Sequence, residues 1–300
     1  MYKKIVLIIL CLLVAISCSN PNSPNTTNTN QTGDTNKVET VTPPGELEKY
    51  GVDISQDDDV IASQLESNLK LYFDEKGSYK VILKGIPKDY DFGSTKAKSL
   101  AYLIFNAANT VGANSVDVDI SNIDFKNNAV SSFMFLGGDL VKIPLNFIFP
   151  IYKIKTIDSY AFFLLYAIKE INIPNSVNTI GAYAFQSCLN LEKIIFGDNL
   201  ETIGDGAFIY CQSLKELTIP SSLKSIGNNA FDSASSLTTV TYLGKTPDDI
   251  TTKGSGIFDN CTSLTTLIVP NAPETSEEEL KSKWQNFLGC NFTTIKKQNN

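Results

Sequence analysis

The 300 residues are 42% hydrophobic and 19% charged, enough for one or two domains with a sizeable core, and they carry a formal charge of −7. The chain has no histidine, which excludes His-based general bases, catalytic triads and the commonest metal ligand together. A net acidic chain without a basic run also argues against nucleic acid as a partner.

The first element is an export signal. Lys3 and Lys4 precede an apolar run from Ile5 to Ile16, and the small residue Ser17 stands just before Cys18. That run is too short to span a bilayer, which takes about 20 residues. Ala15-Ile16-Ser17-Cys18 resembles the lipobox of bacterial lipoproteins, with Ala15 where Leu is usual. The resemblance implies that Cys18 becomes the first mature residue and carries the lipid. Ordinary cleavage beside a chance cysteine is the alternative. Loss of residues 1–17 removes two lysines and takes the formal charge from −7 to −9.

From Ser19 to about Leu47 the chain is Asn, Thr, Ser, Pro and Gly with few apolar residues, which is expected to form a disordered tether. Flexible-chain scaling for such a length gives a reach of roughly 30 Å. Residues 57–73 follow a helical pattern: Asp57, Asp58 and Asp59 suit a helix N-terminus, and Val60, Ile61, Leu65, Leu69 and Tyr72 recur at helical spacing. Tyr79–Leu83 alternates as a strand. Ser94 is the expected cap of a second helix with Leu100, Leu103, Ile104 and Ala107 on one face and Gly112 at its end. Ser115–Ile120 is again a strand, so strand, crossover and strand predict a parallel pair. Residues 136–156 are apolar and irregular and read as a degenerate first repeat.

Residues 157–270 carry a 23-residue period opened by Ile157, Ile180, Ile203 and Ile226. The second copy runs Ile180, Gly181, Ala184, Phe185, Cys188, Leu191, Ile194, Phe196, Leu200. A fixed period of this size is the mark of a solenoid. Ala and Phe are expected to fill the space under a tight helical turn, Gly181, Gly204 and Gly227 to let the chain turn, and Pro174, Pro220 and Pro270 to stop each strand. The pair Leu200 and Ile203, or Leu223 and Ile226, predicts a short second strand on the opposite face. Phe231 to Phe258 spans 27 residues, the four extra lying in a turn between Leu243 and Thr252. Cys188, Cys211 and Cys261 share one slot with Leu165 and Ala234, so packing is a better account of them than metal or redox chemistry. Cys290 has no assignment. Ser276 caps a last helix, with Trp284 as the plug at that end.

The element Leu-x-x-Ile-x-Ile, with Ile-Gly-x-x-Ala-Phe-x-x-Cys ahead of it and Ile-Pro or Val-Pro after it, resembles the BspA-like leucine-rich repeat. The fold expected is therefore an α/β repeat, a leucine-rich repeat solenoid with a parallel sheet behind a small α/β N-terminal cap. Its parts are a signal over 1–17, a lipidated Cys18 and tether over 18–47, a capping module over 48–135, a solenoid over 136–274, and a cap helix and tail over 275–300.

Outward strand positions form columns. Lys169, Glu192 and Lys215 make one, Glu170, Lys193 and Glu216 the next, and their alternating signs neutralise neighbouring strands. The remaining column, Asn172, Ile195, Thr218, Thr241 and Ile268, is neutral and partly apolar, and it is the candidate binding face, with plain solvation of the sheet as the alternative. Asp117 with Asp119, or Asp89 with Asp91, lacks the Glu and Gly of a calcium loop and reads as solvated surface. No catalytic residue, metal, cofactor or small-molecule substrate is expected. The resemblance implies a lipid-anchored protein, on the outer membrane or cell surface, that binds host matrix or serum proteins or other bacteria. The alternatives are a periplasmic or envelope scaffold, or an activity carried by residues 48–135.

Overall fold

The structure, a computed structural model, describes residues 42–90, 98–138 and 140–297. The signal, Cys18 and most of the tether lie outside the described residues, as do Ser94 and Asp91. The chain enters through a short helix, α1 (Pro44–Tyr50), which starts on Pro44 with Glu46 in its first turn and Lys49 in its last. The expected tether therefore ends before Pro44, earlier than its composition implied. Tyr50 supplies the reason, since with Leu47 and Tyr72 it packs on Ile82 and gives the segment apolar surface to bury.

After β1 (Gly51–Asp53) comes α2 (Asp58–Lys76), which ends on Gly77 at φ 74°. Ile61, Leu65, Leu69 and Tyr72 are buried, whereas Val60 is exposed. Strand β2 (Lys80–Gly85) buries Val81, Ile82 and Leu83 in succession, because it is covered on both faces. Helix α3 (Leu100–Thr110) is capped by Ser99, whose hydroxyl accepts from the Tyr102 amide, and not by Ser94. Strand β3 (Val116–Ile123) then pairs parallel with β2, as expected from the crossover.

The repeats begin earlier than their spacing indicated. Strand β4 (Ala129–Val130) aligns Val130 with Ile157 of β6 (Thr156–Ile157), and Met134 and Phe135 fill the slots of Ala161 and Phe162. The first rung therefore starts at Ala129, inside the stretch read as a separate module. Phe135 and Phe162 are 27 residues apart, so four extra residues hide this rung from a 23-residue period. Strand β5 (Leu145–Ile148) pairs with β3, giving one parallel sheet β1-β2-β3-β5. The N-terminal α/β region is thus the start of the solenoid's own sheet, since β5 lies beside β7 (Glu170–Asn172).

From there the two faces alternate along the chain. β8 (Thr179–Ile180), β9 (Lys193–Ile195), β10 (Thr202–Ile203), β11 (Glu216–Ile219), β12 (Ser225–Ile226), β13 (Thr239–Tyr242), β14 (Thr252–Lys253) and β15 (Thr266–Ile268) follow in order. The broad face continues as β7-β9, which lies beside β11-β13-β15. The opposite face is a ribbon of two-residue strands, β4-β6-β8-β10-β12-β14, all parallel, in which Ile157, Ile180, Ile203 and Ile226 are direct partners and fully buried.

Between the faces, one phenylalanine per rung stacks on the next. Phe135, Phe162, Phe185, Phe208, Phe231 and Phe258 form a spine with ring centroids 4.8–5.8 Å apart. The turn that carries each Phe is not helical. Tyr183 and Ser187 have φ of 58° and 57°, with Tyr160 and Leu164 at the same places one rung earlier. Alternate amides then point along the solenoid axis: those of Tyr183, Phe185 and Ser187 donate to the carbonyls of Asp205, Ala207 and Ile209 at 2.8–2.9 Å, while those of Ala184 and Gln186 close the turn itself. This third hydrogen-bonded ladder offsets the left-handed backbone, whose cost is about 1–2 kcal/mol per residue.

The repeated glycines serve a different purpose from the one expected. Gly204 has no left-handed φ; a Cβ there would lie 2.6 Å from the Ala182 amide nitrogen, and one at Gly181 2.5 Å from that of Ser159. They let successive rungs touch backbone to backbone. Gly206, at φ 55°, lies under the Tyr183 ring and ends a short exterior stack of Phe133, Tyr160 and Tyr183.

The two ends are closed differently. At the first rung, the Leu100 amide donates to the Met134 carbonyl at 2.9 Å and the Ser99 hydroxyl to that of Leu136 at 2.6 Å, so the start of α3 caps the acceptors there. At the other end α4 (Glu277–Trp284) has Ser276 as its cap, and Trp284 is fully buried against Tyr242 and Phe287. The tail is not simply a tail. Thr294–Lys296 forms β16, a further parallel strand on β15. Among the described residues, no helix is long and apolar enough to cross a membrane.

Candidate functional site

The neutral column is a physical row. Asn172 pairs with Ile195, Thr218 with Thr241, and Thr241 with Ile268, while β11 lies beside β9. These residues point outward because their neighbours Ile171, Ile194, Leu217, Val240 and Leu267 are buried. Ile195 is 41% exposed, unusual for a large aliphatic side chain, and Thr218 is also exposed; Asn172, Thr241 and Ile268 are half-buried. The side-chain oxygen of Asn172 is buried and lacks a hydrogen-bond partner among the described residues.

The column extends one strand beyond Ile268, to Lys296 of β16. The sequence did carry a signal for that strand: Thr238-Thr239-Val240-Thr241, Thr265-Thr266-Leu267-Ile268 and Thr293-Thr294-Ile295-Lys296 are three versions of one element. Thr239, Thr266 and Thr294 pair directly, and the hydroxyls of Thr238 and Thr293 donate to the carbonyls of Lys215 and Thr265 at 3.2 and 3.3 Å. The C-terminal half of the broad face is therefore a field of threonines, of which Thr238 and Thr293 tie their hydroxyls to the backbone.

Beside it, Lys193 bridges Glu170 at 3.3 Å and Lys215 bridges Glu192 at 2.7 Å. The Lys215 hydrogen bond holds the Glu192 carboxyl below its usual range. All four groups are exposed, so water and salt screen these pairs and they contribute little. Neutralisation between strands is the role the alternating signs implied.

Two carboxylates read as solvated surface stand elsewhere. Asp119 is 1% exposed. It accepts from the Thr42 hydroxyl, from the Ser121 amide at 3.0 Å and from the Ser121 hydroxyl at 2.6 Å, and it bridges Lys80 at 3.1 Å. Asp117 accepts from the Asn146 side chain at 3.0 Å. The Asp119 oxygens are taken up in pinning the incoming chain to β3, because a buried carboxylate persists only when paired and hydrogen-bonded.

The cysteine slot is interior, as its exchange with Leu and Ala implied. Cys188, Cys211 and Cys261 donate to the carbonyls of Phe162, Phe185 and Phe231 at 3.4, 3.4 and 3.2 Å. Burial pushes the Cys211 and Cys261 thiols up to about 12 and raises that of Cys188 well above its ordinary value. Cys290, which the repeat left unassigned, is half-buried and lines one cavity with Cys261.

The model of the BspA type leucine rich repeat region, with six copies, matches residues 129–265 and 180–300, more than half of the chain. A comparison with curated proteins finds no match. Among solved structures, a T. pallidum leucine rich repeat protein is 27% identical, over 53% of this chain and 60% of that one, with a TM-score of 0.39. A leucine rich cell surface protein from Faecalibacterium prausnitzii is 18% identical over 59% and 54%, with a TM-score of 0.40. The pneumococcal vaccine antigen PcpA is 15% identical over 72% and 63%, with a TM-score of 0.42. In each case the match spans less than two thirds of the other chain. The family match begins at Ala129, the residue at which the first rung begins, and by it the chain belongs to the BspA-type leucine-rich repeat family.

Proposed function

We propose that this protein is a lipid-anchored binding protein of the bacterial surface, which uses the column Asn172, Ile195, Thr218, Thr241 and Ile268 to dock a partner protein in adhesion. The single observation that carries this reading is a run of five outward residues without charge, paired within β7-β9 and within β11-β13-β15, with Ile195 41% exposed at its N-terminal half. Protein interfaces favour such a patch, depleted of charge at the centre and ringed by polar groups. Lys193, Glu192 and Lys215 supply that rim.

The test is surface plasmon resonance of the full chain against a panel of purified extracellular-matrix and serum proteins. Ile195→Glu with Ile268→Glu places charge at the centre of the row and should cost about 2 kcal/mol or more, roughly 30-fold in affinity. Unchanged binding by the double variant rules the column out. For the anchor, fatty-acid labelling is expected on Cys18 and lost in Cys18→Ser. Labelling that survives the substitution rejects lipidation at this residue. Protease accessibility on intact cells separates a surface protein from a periplasmic scaffold.

A further inference from the structure

We infer that the C-terminal end of the turn ladder is a second binding site, which takes a basic peptide segment of a partner protein as its missing rung. On every rung the alternate amides of the turn point the same way. Asn229, Phe231 and Ser233 donate to the carbonyls of Ser255, Ile257 and Asp259 at 2.8–2.9 Å. One rung on, the equivalent amides belong to Gly256, Phe258 and Asn260, and among the described residues nothing accepts from them. Three unpaired donors in a row at the solvent end of the ladder are, like the edge of a sheet, a ready template for acceptors from another chain.

The opposite end makes the contrast. There the ladder presents carbonyls, and the Ser99 hydroxyl and Leu100 amide cap those of Leu136 and Met134. A second copy of this chain cannot stack its first rung on the last without displacing that cap. At the C-terminal end the closing segment stands off instead. Gly256 to Thr262 and Leu288 to Asn291 line an open cleft of about 330 Å³ between them. That is the low end of the range for ligand pockets, about 300–1,000 Å³, and suits a few residues of peptide.

The chemistry selects the occupant. Three parallel N–H groups require three acceptors on one edge, which alternate carbonyls of a peptide backbone supply, as in strand addition. A free anion is disfavoured, because the carboxylate of Asp259 is exposed on the same rung and the chain carries a net charge of −7. Asp232 nearby is already held by the side chains of Asn229, Ser233 and Asn260 at 3.2, 2.8 and 2.9 Å. Neutral carbonyls flanked by Lys or Arg match both the donors and Asp259. This site is at the end of the solenoid and does not depend on the broad-face column.

The experiment is amide NMR of the 15N-labelled full chain. In the free protein, the amides of Gly256, Phe258 and Asn260 should exchange with solvent ~100-fold faster than those of Asn229, Phe231 and Ser233. Titration with acetyl-Lys-Thr-Lys-Thr-Lys-amide to millimolar concentration should then shift the first three amides downfield, and the Glu-for-Lys peptide should not. Asp259→Lys, an exposed substitution, should reverse that preference, and Thr262→Trp, which fills the cavity, should abolish both responses. Protected amides in the free protein, no shift with either peptide, or a wild-type preference for the Glu peptide overturns the proposal.

Discussion

Replacing Phe208 by Ala tests the spine directly. The ring is fully buried, parallel within 3° to Phe185 at 5.0 Å and to Phe231 at 5.1 Å, and edge-on to Phe196 at 5.7 Å. Truncating a buried Phe costs about 3–5 kcal/mol, and in a rung locked by backbone contact on both sides collapse is restricted, so the upper half of that range is expected. Within that loss the two stacking contacts supply about 0.5–1.5 kcal/mol each. A Phe185→Leu/Phe208→Leu double-mutant cycle should return one such coupling. The assay is urea unfolding by far-UV circular dichroism, with hydrogen exchange locating the damage to the rungs beside Phe208, since a solenoid couples nearest neighbours. Phe258, 7% exposed and stacked at 5.8 Å on Phe231, should lose less when truncated. A loss at Phe208 below about 2 kcal/mol, or a larger one at Phe258, would refute the idea that the stacked rings hold successive rungs together.

Asp119→Ala leaves the Lys80 ammonium, 15% exposed, with only Glu46 at 3.8 Å among the described residues, and should cost about 3 kcal/mol; hydrogen exchange should show α1 released, and retained protection in α1 contradicts the pinning role of Asp119. Gly204→Ala drives a Cβ against the Ala182 backbone and should destabilise by about 1–3 kcal/mol in thermal melts, whereas Gly45→Ala, where a Cβ meets nothing within 4 Å, should be neutral or mildly stabilising. The buried thiols set an alkaline limit. Unfolded cysteines ionise near about 8.5, while folded Cys211 and Cys261 hold their protons to about 12. The folded state binds more protons in that window, so their stabilising effect is complete below about pH 8.5 and declines toward 12, by about 1.4 kcal/mol per pH unit for the fully buried Cys211 and by less for the partly exposed Cys261. Cys211→Ala should flatten that decline in urea titrations at successive pH values, and an unchanged slope contradicts it.

The interior of the repeat was legible because periodicity and side-chain type carry it. Ile157, Ile180, Ile203 and Ile226 stand in register, Cys188 and Cys211 are packing residues, and the charges on Glu170, Lys193, Glu192 and Lys215 alternate between strands. The helix capped by Ser276 and its plug Trp284 were legible too, but the terminal rungs were not, because they depart from the consensus. Four extra residues before Phe162 concealed the rung at Ala129, and the segment from Asn271 to Phe292 separated β16 from the strands it resembles. The cap of α3 is a related case: Ser94 and Ser99 are both acceptable caps by type, and Ser99 is the one whose hydroxyl accepts from the Tyr102 amide, while Ser94 lies outside the described residues.

The sequence by itself determined that the chain stacks 23-residue units around buried Ile, Phe and Cys, since burial of a periodic apolar pattern admits few alternatives. It also marked Asn172, Ile195, Thr218, Thr241 and Ile268 as outward positions without charge, a column that the structure continues to Lys296. Tertiary structure decided what depends on contacts distant along the chain. Gly181, Gly204 and Gly227 are required because rungs touch there and not because the chain turns, Asp119 is an internal anchor for Thr42, and the amides of Gly256, Phe258 and Asn260 end a ladder that α3 caps only at its other side. Each of these rests on which groups meet across 20 or more residues of chain, a relation that local spacing does not encode.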